Sequence, residues 1–313
     1  MEKLYLVIPC YNEEAVLDET RKRLDMKMKD LIKKKKIHKD SRVVFVNDGS
    51  KDKTWEKICQ YHEEDSLFSG INLSRNRGHQ NALLAGLMTV MNDADMVISM
   101  DADLQDDIEV IDQFVDEYYS GHDVVYGVRS SRKTDTFFKR NTALAFYKMM
   151  ERLGVQIVYN HADYRLLSKR ALKALSEFKE VNLFLRGLVP LVGFSSTTVT
   201  YERAERFAGE SKYPLKKMLS FAFDGITSFS IKPIRFILFL GLFIFLCSFI
   251  ILIYALVRYF QGAVILGWTS LIVSIWALGG LQLFAIGIIG EYIGKVYMES
   301  KARPRFIIES YLK

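Results

Sequence analysis

The sequence predicts an α/β domain built on a mainly parallel sheet, followed by two membrane-spanning helices. Short apolar runs alternate with amphipathic stretches through the first half of the chain, which is typical of strand–helix–strand units with helices on both faces of a sheet. Two long uncharged stretches follow in the last third of the 313 residues. Hydrophobic residues make up 50% of the chain, enough for one good-sized core and a second element.

The apolar runs predict five strands, and the amphipathic stretches between them predict three helices. The predicted strands are residues 3–8, 42–47, 69–73, 96–100 and 123–128. The predicted helices are residues 13–32, 54–65 and 78–92. In such sheets ligands bind beyond the carboxyl ends of the strands, so we expect the functional residues at that edge.

The two uncharged stretches predict a transmembrane hairpin. Residues 236–256 and 268–289 are each long enough to cross the hydrocarbon core, which takes about 20 helical residues. Two buried core helices are the alternative. Lysines and arginines crowd both flanks, whereas the connector at 258–267 carries one arginine. By the positive-inside rule we expect a plasma-membrane protein with both termini cytoplasmic.

Composition divides the chain into four predicted parts. Residues 1–206 form a cytosolic domain, 207–232 an amphipathic juxtamembrane segment, 233–295 the two-helix hairpin and 296–313 a cytosolic tail. The second part mixes aromatic residues with lysines, which suits a helix on the membrane surface or one packed against the domain. The net charge of +6 does not indicate nucleic-acid binding, because no nucleic-acid motif accompanies the lysine run at 33–36.

A short acidic segment follows the fourth predicted strand and suggests a metal site. Asp101, Asp103 and Gln105 alternate along an extended segment, so their side chains could converge on one cation. Oxygen ligands suit Mg²⁺ or Mn²⁺, which commonly hold substrate phosphates. A solvated turn that merely follows a strand is the alternative.

Polar motifs also follow the first three strands. They read Pro9-Cys10-Tyr11-Asn12-Glu13, Asp48-Gly49-Ser50 and Arg75-Asn76-Arg77-Gly78-His79-Gln80. With the acidic segment in order after them, the chain resembles family 2 glycosyltransferases of the GT-A fold, a Rossmann-like nucleotide-diphospho-sugar transferase fold. The subgroup it resembles is the polyprenyl-phosphate glycosyltransferases, which include dolichyl-phosphate mannose synthases and bactoprenol glucosyltransferases. Later segments extend the resemblance: residues 162–166, 209–213 and 290–294.

The resemblance implies roles on the donor side. Pro9, Tyr11 and Glu13 would line the nucleotide pocket, with Tyr11 against the base, and Asp48 would accept a hydrogen bond from uracil or ribose. The usual motif has two acids before Gly-Ser, and here the first is Asn47. That residue has one charge fewer but keeps an acceptor.

The same resemblance assigns the metal and phosphate contacts. Asp101 would approach the ribose and the metal shell, while Asp103 and Gln105 would ligate the metal on the donor diphosphate. Arg129 and Arg140 would contact the acceptor phosphate, since guanidinium groups fit phosphate oxygens bidentately.

Three further residues carry open assignments. Arg132 competes with Arg140 for the second phosphate contact, and Arg129 or Arg140 could instead be a surface salt-bridge partner. Lys212 would reach the donor diphosphate or the acceptor phosphate. Asp163 is the residue that related enzymes would use as a base or a charge-orienting group. Its alternatives are pairing with Arg165 or capping a helix near residue 168.

The implied reaction moves a sugar from a UDP-sugar to a polyprenyl phosphate, taken as undecaprenyl phosphate, with inversion at the anomeric carbon. The lipid-linked sugar would supply cell-surface glycan modification, with a separate flippase as a partner. Glycines along the second span suit close packing, either between copies of the chain in a homo-oligomer or between its two spans. Alternatives are a diacylglycerol or glycan acceptor, or a catalytically silent membrane scaffold.

Overall fold

The computed structural model describes residues 1–130, 161–181, 183–204, 232–261 and 267–313. Its strands are β1 Leu4–Cys10, β2 Arg42–Asn47, β3 Phe68–Leu73, β4 Met96–Ser99, β5 Val124–Arg129, β6 His161–Ser168, β7 Ser196–Tyr201 and β8 Ile308–Leu312. Its helices are α1 Leu17–Lys33, α2 Thr54–Glu64, α3 His79–Val90, α4 Ile111–Tyr119, α5 Lys169–Ser176, α6 Leu185–Leu191, α7 Lys232–Phe260 and α8 Trp268–Ser300. A 3₁₀ turn, Ile108–Val110, precedes α4.

The strands form one mixed sheet of eight members in the order β7-β5-β6-β4-β1-β2-β3-β8. The four central strands β4, β1, β2 and β3 are parallel. Strand β6 runs antiparallel between β4 and β5, so β5 points the same way as the central four. The carboxyl ends of β1 to β5 and the beginning of β6 therefore share one edge of the sheet.

Alternation along the first strand builds two cores, one on each face of the sheet. Leu6 and Ile8 pack with α1, α2 and α4, while Tyr5 and Val7 pack with α3, α5 and α6. Helix α3 lies so close to the sheet that a Cβ on Gly86 would stand 2.4 Å from a methyl of Val7. This close packing holds the first turn of α3 at the carboxyl edge.

The five strands and three helices predicted from the sequence are present, with some shifted ends. Helix α1 begins at Leu17 rather than at residue 13, and the N–H groups of Glu13 and Glu14 before it donate to side chains of Thr54 and Asp52. Strands β6, β7 and β8 and helices α4 and α6 are additions to the prediction, while α5 begins at Lys169, where the sequence suggested a capped helix near residue 168. Strand β6 was not predicted because Arg165, which is 1% exposed, interrupts its apolar pattern.

The late apolar stretches form the long helices α7 and α8, which span the predicted membrane segments. Within the described residues, one segment, Ala277–Ser300, is long and apolar enough to cross a membrane. Large apolar side chains on both helices are exposed, among them Phe236, Phe243 and Leu283. The part of the chain that the structure describes thus contains one candidate span, and the predicted pair of spans stays a prediction.

Candidate active site

The loops after β1 and β2 are tied together at the carboxyl edge. Asn12 adopts a φ of 53°, and its N–H donates to Ser50 Oγ at 3.0 Å. Its side-chain oxygen accepts from the Lys51 N–H at 2.8 Å. The Glu13 N–H donates to Thr54 Oγ1 at 3.0 Å. The segment predicted to line the nucleotide pocket, including buried Pro9 and half-buried Tyr11, is therefore anchored by its backbone.

The carboxylate of Asp48 shapes the next loop. It is 2% exposed and accepts the backbone N–H groups of Arg77 at 2.7 Å and Gly78 at 2.9 Å. Burial raises the pKa of Asp48, and these hydrogen bonds oppose the rise. Gly49 has a φ of +62°, and a Cβ there would stand 2.5 Å from the Asn76 nitrogen, so the turn requires glycine. The predicted contact of Asp48 with the nucleotide stays a prediction.

The acidic segment after β4 forms a turn at this edge. Leu104 has a φ of 58°, and Asp103 Oδ1 accepts the Gln105 N–H at 3.2 Å. The Asp101 side chain is 36% exposed. The side-chain oxygen of Gln105, predicted to ligate a metal, accepts a hydrogen bond from Arg203.

Asp106 is a buried acid that the sequence analysis did not single out. Its Oδ1 accepts the Tyr201 hydroxyl at 2.6 Å, while its Oδ2 is buried without a hydrogen-bond partner. Burial and the negative charge of Asp101 raise the pKa of Asp106 to about 6. An orphaned carboxylate oxygen beside other acids indicates that this region is arranged for added positive charge.

The oxygen-bearing side chains of the acidic turn fit a cation that also binds a substrate. Among the residues that the structure describes, no three Asp, Glu, His or Cys side chains converge as a complete ligand set. Mg²⁺ usually takes one or two protein carboxylates and completes its shell with substrate phosphates and water. Asp101 and Asp103 can supply two carboxylates of this kind. Gln105 would join them only by leaving Arg203.

Asp163 lies at the same edge because β6 is antiparallel to its neighbours. Its Oδ1 accepts from Arg165 Nη2 at 2.5 Å and from Arg186 Nε at 3.3 Å. Its Oδ2 accepts from Arg186 Nη2 at 3.2 Å and lies 3.6 Å from His79 Nε2. Burial alone would raise the pKa of Asp163, but these cations hold it well below its usual range. The pairing with Arg165 that the sequence left open is therefore present, while Ser168 caps α5.

His79 connects the two sides of the site. As the first residue of α3, it places Nε2 3.5 Å from Asp101 Oδ1 as well as near Asp163. Burial would lower the pKa of His79, but the two carboxylates raise it to about 9. His79 is thus an imidazolium at neutral pH, between the predicted donor site and Asp163.

Sequence reasoning missed the roles of His79 and Arg186. His79 stood in a quoted motif without an assignment, although it directly follows a glycine-containing loop at a predicted helix start. Arg186 is a single charge within the apolar run 183–192. A lone charge in such a run was the available signal, since a buried charge is almost always paired.

Arg129, at the end of β5, faces the acidic turn. Its Nη2 lies 3.9 Å from Asp106 Oδ1, and its Nε donates to the Tyr201 hydroxyl at 3.4 Å. Burial would lower the pKa of Arg129, but Tyr201 and Asp106 raise it, so the group stays cationic. Three other predicted phosphate contacts lie outside the described residues: Arg132, Arg140 and Lys212.

Comparisons with known proteins identify a family and close relatives. The model of glycosyl transferase family 2 matches residues 5–176. An uncharacterized glycosyltransferase of Bacillus subtilis, YkoT, is 55% identical over 98% of this chain and 91% of its own length. A bactoprenol glucosyl transferase of Shigella phage SfX is 39% identical over 98% of this chain and 99% of its own. The prophage bactoprenol glucosyl transferase homolog of Escherichia coli is 38% identical over 99% and 100%.

A solved structure aligns more distantly. Glucosyl-3-phosphoglycerate synthase from Mycobacterium tuberculosis, in complex with Mn²⁺, uridine diphosphate and phosphoglyceric acid, covers 72% of this chain and 76% of its own at 16% identity, with a TM-score of 0.46. At that distance the ligands of that enzyme do not transfer to this chain.

Proposed function

Because the chain belongs to glycosyl transferase family 2, we propose that it transfers a sugar from a UDP-sugar to a polyprenyl phosphate, with inversion at the anomeric carbon. The observation that carries the proposal is the meeting of acids and cations at one sheet edge. Asp101 lies 3.5 Å from His79, Arg129 lies 3.9 Å from Asp106, and Arg186 donates to Asp163 at 3.2 Å. Relatives named bactoprenol glucosyl transferase match nearly the whole chain and support a lipid-linked acceptor.

On the donor side, Asp101 and Asp103 would hold Mg²⁺ or Mn²⁺, with Gln105 as a further ligand. When bound, such an ion neutralises charge on a departing diphosphate. Tyr11 and Glu13 would line the nucleotide pocket, which the contacts of Asn12 and Glu13 with the neighbouring loop keep in shape.

On the acceptor side, Arg129 and Arg186 would bind the lipid phosphate. Arg140 and Lys212 are further proposed contacts. A phosphomonoester has a second pKa of about 6, so at neutral pH its oxygen already carries the negative charge needed to attack the anomeric carbon. A general base is therefore not required.

We assign Asp163 to orientation rather than to proton transfer. Its two oxygens receive donors from Arg165 and Arg186, and His79 stands beside them. A carboxylate surrounded by cations holds a proton poorly, as the lowered pKa of Asp163 also indicates. Its charge instead fixes the guanidinium of Arg186 and the imidazolium of His79 at the reaction centre.

The apolar helices support a location of this chemistry at a membrane. We propose the hairpin of residues 233–295 with two spans, the juxtamembrane segment 207–232 and a cytoplasmic catalytic domain of residues 1–206, whose sheet β8 completes. The phosphate head group would then react at the aqueous boundary while its hydrocarbon tail stays in lipid. The product would serve cell-surface glycan modification, after transfer across the membrane by a separate flippase.

UDP release by the detergent-purified full-length protein tests the proposal. The assay compares a panel of UDP-sugars, with Mn²⁺ or Mg²⁺, in the presence and absence of undecaprenyl phosphate. We expect release that needs one particular sugar and also the lipid phosphate. Release that requires diacylglycerol or a glycan instead would replace the acceptor, and failure to bind UDP would favour a catalytically silent scaffold.

A further inference from the structure

The last strand of the chain is part of the sheet that carries the active site. Strand β8 follows α8 and pairs antiparallel with β3, with Ile71 opposite Tyr311. Strand β3 would otherwise be the edge of the sheet. At the far end of β8, Lys313 Nζ lies 2.8 Å from Asp93 Oδ2. The chain therefore returns from its apolar helices to the catalytic domain.

A continuous series of hydrogen bonds runs from β8 to the proposed donor pocket. Asn72 Nδ2 donates to Glu309 Oε2 at 2.8 Å, and Asn47 Nδ2 donates to Asn72 Oδ1 at 2.7 Å. The Ser50 N–H donates to Asn47 Oδ1 at 3.2 Å, and the Asn12 N–H donates to Ser50 Oγ at 3.0 Å. We call Glu309, Asn72 and Asn47 the amide relay.

The groups on either side of Asn47 and Asn72, the Ser50 N–H and the Glu309 side chain, determine how the two amides are oriented. The Ser50 N–H can only donate, and Glu309 Oε2 accepts from Asn72 Nδ2. Asn47 must therefore turn its oxygen toward Ser50 and its nitrogen toward Asn72. Asn72 must in turn point its oxygen at Asn47 and its nitrogen at Glu309. Both amides have one orientation that satisfies every bond, so their assignment follows from the network.

We propose that Asn72 and Glu309 are positioning residues for the donor pocket, which they hold through Asn47. This rests on the proposed function, since it takes the loops after β1 and β2 as the nucleotide site. It also explains the amide at position 47, where the resemblance leads one to expect an acid. An aspartate at position 47 would have no N–H group to donate to Asn72 Oδ1. If the Asn72 amide rotated so that its nitrogen donated to that aspartate, its oxygen would face the oxygens of the Glu309 carboxylate.

The relay can be reversed by a second substitution on β8. In the double variant N47D/E309Q, the carboxylate at 47 accepts from Ser50 and from Asn72 Nδ2, and Asn72 Oδ1 accepts from the new amide at 309. Every bond is then satisfied, with the two bonds made by Asn72 reversed and the Ser50 N–H still donating to residue 47. Asn47 is buried, so the conflict in N47D alone is only partly relieved by water. In E309Q alone, the side-chain oxygen of the glutamine can still accept the hydrogen bond from Asn72 Nδ2.

The experiment measures UDP affinity by calorimetry with Mn²⁺ on the detergent-purified full-length protein. We expect N47D to weaken binding by about fivefold, the effect of one lost hydrogen bond. E309Q should stay within about twofold of the unsubstituted protein, because its oxygen accepts the same bond. The double variant should recover most of the affinity, so the two effects are not additive. The matched control is N47D/D93N. It removes one negative charge from Asp93, which contacts Lys313 just beyond the other end of β8, and it should recover none of the UDP affinity.

Amide hydrogen exchange of residues 308–312 provides a readout that does not depend on the ligand. Exchange should be faster in N47D than in the unsubstituted protein and should slow again in N47D/E309Q. If the double variant binds UDP no better and exchanges no more slowly than N47D, the relay is wrong. If the unsubstituted protein binds no UDP, the proposed function fails, and the exchange pattern alone decides whether the relay docks β8.

Discussion

The two ends of the central sheet use the same residue types in different ways. At the end opposite the site, Asp123 accepts from Ser168 Oγ at 2.7 Å and from Arg170 Nε at 3.1 Å, and Asp95 accepts the Lys3 N–H at 2.9 Å. Each of these carboxylates accepts hydrogen bonds from its own donors. At the carboxyl edge, one carboxylate is shared among three cations, and the buried acid beside Tyr201 has an oxygen without a partner.

The difference separates charge that stabilises the fold from charge that we propose to bind a ligand. A carboxylate with complete hydrogen bonds contributes to the free energy of unfolding. Acids and cations held close together without full neutralisation cost stability, and such clusters are typical of functional sites. Substitutions at the two ends should therefore separate catalysis from stability.

The largest effect is expected for Asp103→Asn. Loss of one carboxylate from the proposed cation site should reduce metal-dependent turnover at least about a hundredfold, since a bound ion contributes several kcal/mol of charge stabilisation. The melting temperature should change little, because this acid lies in a turn at the sheet edge. UDP release and thermal unfolding measure the two quantities, and near-normal turnover would refute the metal assignment.

Asp163→Asn should have the next largest effect and tests orientation against proton transfer. Loss of the charge that holds Arg186 and His79 should reduce turnover about tenfold and raise the KM for lipid phosphate. The acid limb of the pH profile should keep its midpoint, because the groups that titrate near pH 6 are the acceptor phosphate and Asp106, whereas the pKa of Asp163 lies well below its usual range. Disappearance of that limb in the variant would instead identify Asp163 as the base.

A smaller effect is expected for Arg129→Lys, which keeps the charge but removes the bidentate guanidinium. The KM for the lipid phosphate should rise about tenfold, the cost of one good charged hydrogen bond, while UDP affinity stays unchanged. Arg170→Lys makes the same change at the opposite end and should leave both constants unaltered. A selective loss of UDP affinity in Arg129→Lys would move that arginine to the donor side.

The smallest expected effect is that of Asp123→Asn, and it should appear in stability alone. Hydrogen bonds from Arg170 and Ser168 lower the pKa of Asp123. Its contribution to stability is complete above its unfolded pKa of about 3.9 and disappears as pH falls through the lower folded value. The variant should lose about 1 kcal/mol at pH 7 and converge with the unsubstituted protein in acid. Urea unfolding across this pH range checks it, and a loss of turnover would contradict the division between the two ends.

Five of the eight described strands, the family and the sheet edge that carries the candidate site could be predicted from local sequence. Apolar runs followed by polar motifs at β1 to β4 placed Tyr11, Asp48 and Asp101 at one edge, because the carboxyl ends of parallel strands meet there. The resemblance to family 2 glycosyltransferases is confirmed. The predicted pair of membrane spans remains a proposal, since the described residues contain one candidate span.

Contacts between distant segments could not be predicted in the same way. Strand β6 enters between β4 and β5, and its reversed direction brings Asp163 to the edge where Arg186 and His79 meet it. Glu309 contacts Asn72 across 237 positions of the chain. No local periodicity records such pairings, because they depend on the order of strands in the sheet.

By itself, the sequence determined which chemical groups are available and which strand each of them follows, since hydrophobic periodicity and motif order are local properties. The tertiary structure alone decided which charges neutralise one another. Asp163 became a carboxylate held by cations, and Asn47 became part of a relay to the last strand. The physical reason is that the strength of a charge or hydrogen bond depends on burial and on partners, and both are supplied by segments far apart in the chain.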